Sequence, residues 1–268
     1  MRRKKERFLA SLGMTDLFCD RRGAVNQYHP RSAIFIPMPE TEKLIHEILP
    51  VGMLQCNCHI LGDPKTREAI VIDPGDDDAK IIEVIERHHL KVIAIAVTHT
   101  HIDHVIGLRR VHEVTGAPVY VHGDDLDLYR MLDMQANWLG WKTPQTSPID
   151  QLVREGDIIR WGGYEAQIIH TPGHTPGSIC LFMPSDLPKD SQSAGTASHG
   201  TGQLFAGDTL FAGSIGRTDL WGGDFAGIIR SLKGKLLELP GDTVVYPGHG
   251  EQTTIARERA TNPFLVGK

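Results

Sequence analysis

KVIAIAVTHTHIDH, residues 91 to 104, joins two signals without a break. Lys91 to Val97 is a run of mostly β-branched apolar residues, as a strand buried on both faces requires. It leads straight into His99, His101, Asp103 and His104, so the chemistry sits at the carboxyl end of a buried strand. Composition alone predicts roughly 0.003 occurrences of H-x-H-x-D-H in a chain like this one. Imidazole nitrogens and carboxylate oxygens bind Zn²⁺ at about 2.0 to 2.2 Å. A loop just past a strand can turn His99 and His101 toward one ion while Asp103 and His104 face another.

Upstream, LIHEILPVG, MLQCNCHILG and EAIVID read as antiparallel strands, with a turn at Asp63 to Thr66. Asp76 to Asp78 offer caps to a helix over AKIIEVIERHHL. Downstream, VIGLRRVHEVTG predicts a helix closed by Gly116, and PVYVH a short strand. Residues 124–148 hold Met131, Met134, Trp138, Leu139 and Trp141 before a Pro-rich exit, which reads as a helical lid or as core. The second half is mostly short strands: DIIRWGG, YEAQIIH, GSICLFM, QLFAGDTLF and DTVVYPG. Helices are expected over DFAGIIRSLKGKLLEL and EQTTIARERA. Residues 1–42 lack sustained periodicity and read as an N-terminal extension outside the core, and the Ser, Gly and Thr of 184–202 as a flexible insert. What is left, within 43–268, suits one mixed α/β (α+β) domain of two sheet-and-helix halves.

The chain has 268 residues, 40% of them apolar, which is enough to bury a core and excludes a disordered chain. A net charge of −5 argues against a nucleic-acid surface, and no apolar run approaches membrane-spanning length. The basic cluster at Arg2 to Arg7 is followed by no cleavage site of the secretory type, so a cytoplasmic location is expected. Cys19, Cys56, Cys58 and Cys180 are too few for a disulfide scaffold and read as free thiols.

Three further residues occur in settings that a metal site needs: His174 in TPGHTPG, Asp208 in AGDTLF and His249 in YPGHG. Each follows an expected strand and is flanked by glycine, which lets the backbone come close. In order, HxHxDH, TPGHTPGS, GDTLF with GRTDL, and PGHG resemble the metallo-β-lactamase superfamily, and within it the glyoxalase II (hydroxyacylglutathione hydrolase)-like branch. The resemblance implies a four-layer αββα sandwich holding two divalent metal ions, zinc first, with iron or manganese as alternatives. It implies that His99, His101 and His174 bind one ion, that Asp103, His104 and His249 bind the other, and that Asp208 bridges them. A hydroxide between the ions would attack a carbonyl, with Asp103 as the catalytic residue that orients it and takes its proton.

The expected function is metal-dependent hydrolysis of a small-molecule thioester such as S-lactoylglutathione. Only 19 residues follow His249 in this sequence, so the C-terminal helical region that supplies much of the glutathione contact in glyoxalase II proper is not expected here. The alternative of a different class is an iron-dependent persulfide dioxygenase on the same fold, using only His99, His174 and Asp208. Arg217 could hold a substrate carboxylate or pair with Asp219. Asp73 could bond the motif loop or serve its own turn, and His122 and His170 could support the site or the fold. His88, His89 and His112 are read as structural.

Overall fold

The computed structural model describes residues 43–186 and 201–266; the readings of 1–42 and of most of 184–202 lie outside them. One sheet is built from β1 (Ile45–Val51), β2 (Cys56–Gly62), β3 (Glu68–Ile72), β4 (Lys91–Ala96), β5 (Val119–His122) and β6 (Gln151–Val153), in that order. Its first two pairings are antiparallel, and β3 to β6 run parallel. Parallel neighbours need crossovers. The first two are supplied by α1 (Asp78–Arg87), between β3 and β4, and α2 (Leu108–Thr115), between β4 and β5, and the third by the helical 124–148 segment between β5 and β6.

The second sheet has the order β14-β13-β10-β9-β8-β7. Its strands are β7 (Ile158–Trp161), β8 (Tyr164–His170), β9 (Ile179–Met183), β10 (Gln203–Gly207), β13 (Val244–Pro247) and β14 (Thr253–Thr254). A small hairpin of β11 (Leu210–Phe211) and β12 (Ser214–Ile215) leaves the end of β10.

Side-chain alternation along the strands sorts the apolar residues into three cores, and three cores separate four layers. On β2, Cys56, Cys58 and Ile60 face α1 and α2, where Ile81, Val84, Leu108 and Val111 close the first core. Leu61 of β2, with Ile70, Ala94 and Ala96, faces Trp161, Ile168, Leu181 and Phe205 of the opposite sheet in the second. On the far side, Cys180, Leu204 and Val245 pack on Ile228 and Leu232 of α5 (Phe225–Gly234) and Ile255 of α6 (Ile255–Thr261). This is the αββα sandwich expected from the sequence. Among the described residues, no helix is long and apolar enough to cross a membrane.

Local differences have local causes. The first helix stops at Arg87, not at Leu90, because His89 turns to φ 52°. Asp77 occupies its N-cap position but turns its carboxylate to Gly52 N at 3.3 Å and Lys80 Nζ at 2.7 Å. The QLFAGDTLF segment is one strand by periodicity but breaks after Gly207, at φ 47°, and resumes at Leu210. The 124–148 segment folds as α3 (Leu126–Arg130) and α4 (Leu132–Leu139), with no helix or strand from Gly140 to Asp150. Tyr129, Leu132 and Ala136 are buried in the first core, while Met134 and Trp138 are exposed, so core and surface roles are divided residue by residue.

Candidate metal centre

The loop after β4 carries His99, His101, Asp103 and His104, and three loops of the other sheet bring His174, Asp208 and His249 to meet it. His99 Nε2 lies 3.2 Å and His101 Nδ1 2.9 Å from His174 Nε2. On the other side, His249 Nε2 lies 3.2 Å from Asp103 Oδ2 and 3.3 Å from His104 Nε2. Asp208 stands between the two groups. Its Oδ1 is 3.5 Å from His104 Nε2, and its Oδ2 is 3.6 Å from His174 Nε2 and 3.7 Å from His249 Nε2.

The outer hydrogen bonds define which nitrogen each ring presents. A carbonyl only accepts, so His174 Nδ1 donates to Arg217 O at 2.8 Å and His249 Nδ1 to Leu54 O at 2.8 Å. His104 Nδ1 donates to Asp73 Oδ2 at 2.9 Å. Thr98 Oγ1 gives its proton to Asp73 Oδ2 at 2.6 Å, which leaves it to accept from His99 Nδ1 at 3.2 Å. In their neutral forms all four rings therefore direct an Nε2 lone pair inward, the arrangement in which metal-binding imidazoles are held.

Electrostatics divide the cluster. Burial, reinforced by the neighbouring imidazoles, holds His99 well below the ordinary histidine range, and burial with His174 pushes His101 down to about 3. Burial also opposes charge on His104, but Cys56, Asp103, Asp73 and Asp208 overcome it and raise that pKa well above its usual value. His249 is raised against its burial by Asp103 and Asp208. Asp208 resists its own burial through His104, His174 and His249 and stays ionised. Its Oδ1 is buried with no hydrogen-bond partner among the described residues. When the imidazoles are neutral and turn their lone pairs inward, this buried, ionised oxygen is uncompensated unless another cation joins it, so these residues fit the metals that the sequence implies. Imidazole and carboxylate donors suit zinc, iron or manganese alike.

The supporting residues are less visible in the sequence. Asp73 does bond the motif loop, taking Thr98 N at 2.7 Å as well as His104. Asp125, which the sequence does not single out, is fully buried and accepts from Thr100 N at 2.8 Å, Thr175 Oγ1 at 3.1 Å and Gly177 N at 2.6 Å. One carboxylate thus ties the HxHxDH loop to the TPGHTPG loop. Asn57 on β2 does the same for the PGHG loop, its Nδ2 donating to Pro247 O and Gly250 O, both at 3.0 Å. Single acidic and amide residues beside strands carry no local signature, so no periodicity could have found either. A Cβ at Gly248 would run into Asp208 Oδ1, which is the close approach expected of the glycines beside the site.

Arg217 reaches Asp219 through Nε and Nη2, both at 2.8 Å, so its guanidinium is engaged as a salt bridge while its carbonyl holds His174. His122 and His170 lie outside the centre with their rings stacked at 3.9 Å, and His170 Nε2 donates to Pro176 O at 2.9 Å. His112 donates to Ala117 O and serves the end of α2.

Two sheets faced by helices, with histidines and aspartates collected from both at one rim, define the architecture of a metallo-hydrolase. The chain belongs to the metallo-beta-lactamase superfamily, whose family description matches residues 51–186 and 196–249. It is similar to an uncharacterized protein of Aquifex aeolicus, 40% identical over 226 residues, 82% of this chain and 97% of that protein. It is 35% identical to the hydroxyacylglutathione hydrolase GloC of Haemophilus influenzae, over 83% of this chain and 98% of GloC. Among solved structures, the BLEG-1 B3 metallo-beta-lactamase superposes with a TM-score of 0.72 at 33% identity, covering 83% of this chain and all of that one. A di-iron-bound form of TTHA1623 gives 0.68 at 36% identity, over 82% of this chain and all of that one.

Proposed function

We propose that this chain is a dinuclear metal-dependent hydrolase of thioesters. The observation that carries the dinuclear site is the Asp208 carboxylate, which has one oxygen toward His104 and the other toward His174 and His249, between two groups of candidate ligands. His99, His101 and His174 would hold one ion and Asp103, His104 and His249 the other, with Asp208 common to both. Two divalent ions there supply a water of lowered pKa and a positive field for a carbonyl oxygen that gains charge.

The chain's own residues do the rest. Asp103 is held ionised by its neighbours against its burial, with His104 the strongest of them, and it faces the substrate cavity, so it can orient an attacking water and accept its proton. Asp73, Asp125 and Asn57 keep the ligand loops in place. The likeness to GloC supports a thioester as substrate, and the di-iron neighbour keeps iron beside zinc among the metals to be tested.

The test is to purify the protein without added metal, measure zinc, iron and manganese per chain, and assay the same sample with S-lactoylglutathione and simpler thioesters. Close to two metals per chain with thioester turnover is the expected result. One iron per chain, no hydrolysis, and O₂ uptake with glutathione persulfide would overturn it in favour of the dioxygenase.

A further inference from the structure

Beside the metal centre lies a cavity of about 590 Å³, a size that suits a small molecule. Its polar end is the cluster itself, with His101, Asp103, Asp208 and His249 in the lining. Its walls are Leu54, Met131, Met134, Trp138, Leu139 and Trp221, together with aliphatic neighbours. Five of these six, all but Met131, are among the large apolar side chains the described residues leave exposed, so exposed apolar surface gathers here. The wall is also held firmly. Gln135 of α4 accepts from Ile102 N at 2.9 Å and donates to Thr100 O at 3.3 Å, fastening the helix of Trp138 to the motif loop.

Charge decides what such a cavity accepts. Arg217 is the one Lys or Arg side chain in the lining among the described residues, and its charge is paired with Asp219 through Nε and Nη2. A glutathione moiety brings two carboxylates and several amides, and burying them against Leu, Met and Trp leaves them without partners. Biological carrier thiols are polar in general, so the half of a thioester that enters this cavity is the acyl half.

We infer that the preferred substrates are thioesters of apolar acyl groups, medium-chain or aromatic, with the acyl body on the Leu54, Trp138 and Trp221 walls and the carbonyl at the metal centre. This rests on the thioesterase reading for the reaction, but the specificity has its own observable. The first measurement is equilibrium binding of acetate, hexanoate and decanoate to the metal-loaded protein, followed by tryptophan fluorescence below the micellar range. Burial contributes about 0.8 kcal/mol per methylene, so affinity is expected to rise roughly tenfold for every two carbons. Trp138→Ala should flatten that dependence, whereas Phe264→Ala, at an exposed apolar residue outside the cavity, should leave it as it is.

The second measurement is hydrolysis of the matching acyl thioesters of N-acetylcysteamine beside S-lactoylglutathione. Binding that climbs with chain length, and kcat/KM that climbs with it, is the expected result. Equal affinity for acetate and decanoate, or a slope lost equally in both variants, would overturn the inference. Turnover of S-lactoylglutathione without any chain-length dependence would overturn it too, while leaving the thioesterase reading intact. Chain-length-dependent binding with no thioester turnover would leave the apolar cavity standing and remove the thioesterase reading.

Discussion

At the scale of single residues, the centre depends on groups that touch a ligand and groups that hold those in place, and the two kinds should fail differently. His101 meets His174 through Nδ1 and faces the cavity. His101→Ala is expected to lower thioester turnover by about 10²- to 10³-fold and to release one of two metals, with the circular dichroism spectrum kept. Full turnover with two metals retained would show that His101 is not a ligand. Asp125 touches no ligand atom, yet the Thr100 and Gly177 backbone N–H groups and the Thr175 hydroxyl donate to its carboxylate. Asp125→Ala strands them and should cost about 3 kcal/mol in urea denaturation, with metal affinity reduced about tenfold or more. Asp125→Asn keeps an acceptor and should recover part of both losses, which separates a lost carboxylate from a cavity.

At the scale of elements, the inner faces of β1 and β2 place His46 and His59 between the sheets, 3.1 Å apart and edge-on to Phe205 and Tyr246. Burial, the largest influence, lowers the His46 pKa from 6.5 to about 4, and it lowers His59 well below the ordinary value. At His46 the unfolded chain therefore takes up a proton below about pH 6.5 that the folded one refuses until near pH 4, and buried His59 acts in the same direction. Stability is full above the first value and is lost as pH falls toward the second, by about 3 kcal/mol for His46 alone. Unfolding free energies at pH 7 and pH 4.5 check this, and His46→Phe should shrink the acid loss. An unchanged loss in that variant would place it on other buried groups.

At the scale of the whole molecule, the ligands come from one loop of the first sheet and three loops of the second, so a bound metal fastens the two halves of the sandwich together. At a thousandfold excess over Kd, each site adds about 4 kcal/mol. A domain of this size moves in Tm by about 2 to 4 °C per kcal/mol. Chelation is expected to lower Tm by about 10 °C or more, and added zinc or iron should restore it. A Tm indifferent to chelators would mean that the cluster does not hold metal in the folded chain.

The sequence by itself determined which segments become strands and which residues gather in the cluster, while the four layers followed from the resemblance of its motifs to a known superfamily. Alternation along β2 and the unbroken apolar run of β4 are local patterns, and each reports which faces a strand must bury. His99, His101, Asp103, His104, His174, Asp208 and His249 stood out because their spacing and flanking glycines are local too. Tertiary structure alone decided the rest. It set which nitrogen each ring turns inward, the partners of Asp125 and Asn57, and the apolar wall around Trp138. Each of these needs two segments far apart in the chain to meet. Hydrophobic periodicity states that a face is buried, but the partner across it follows only from how the strands pair and the sheets stack.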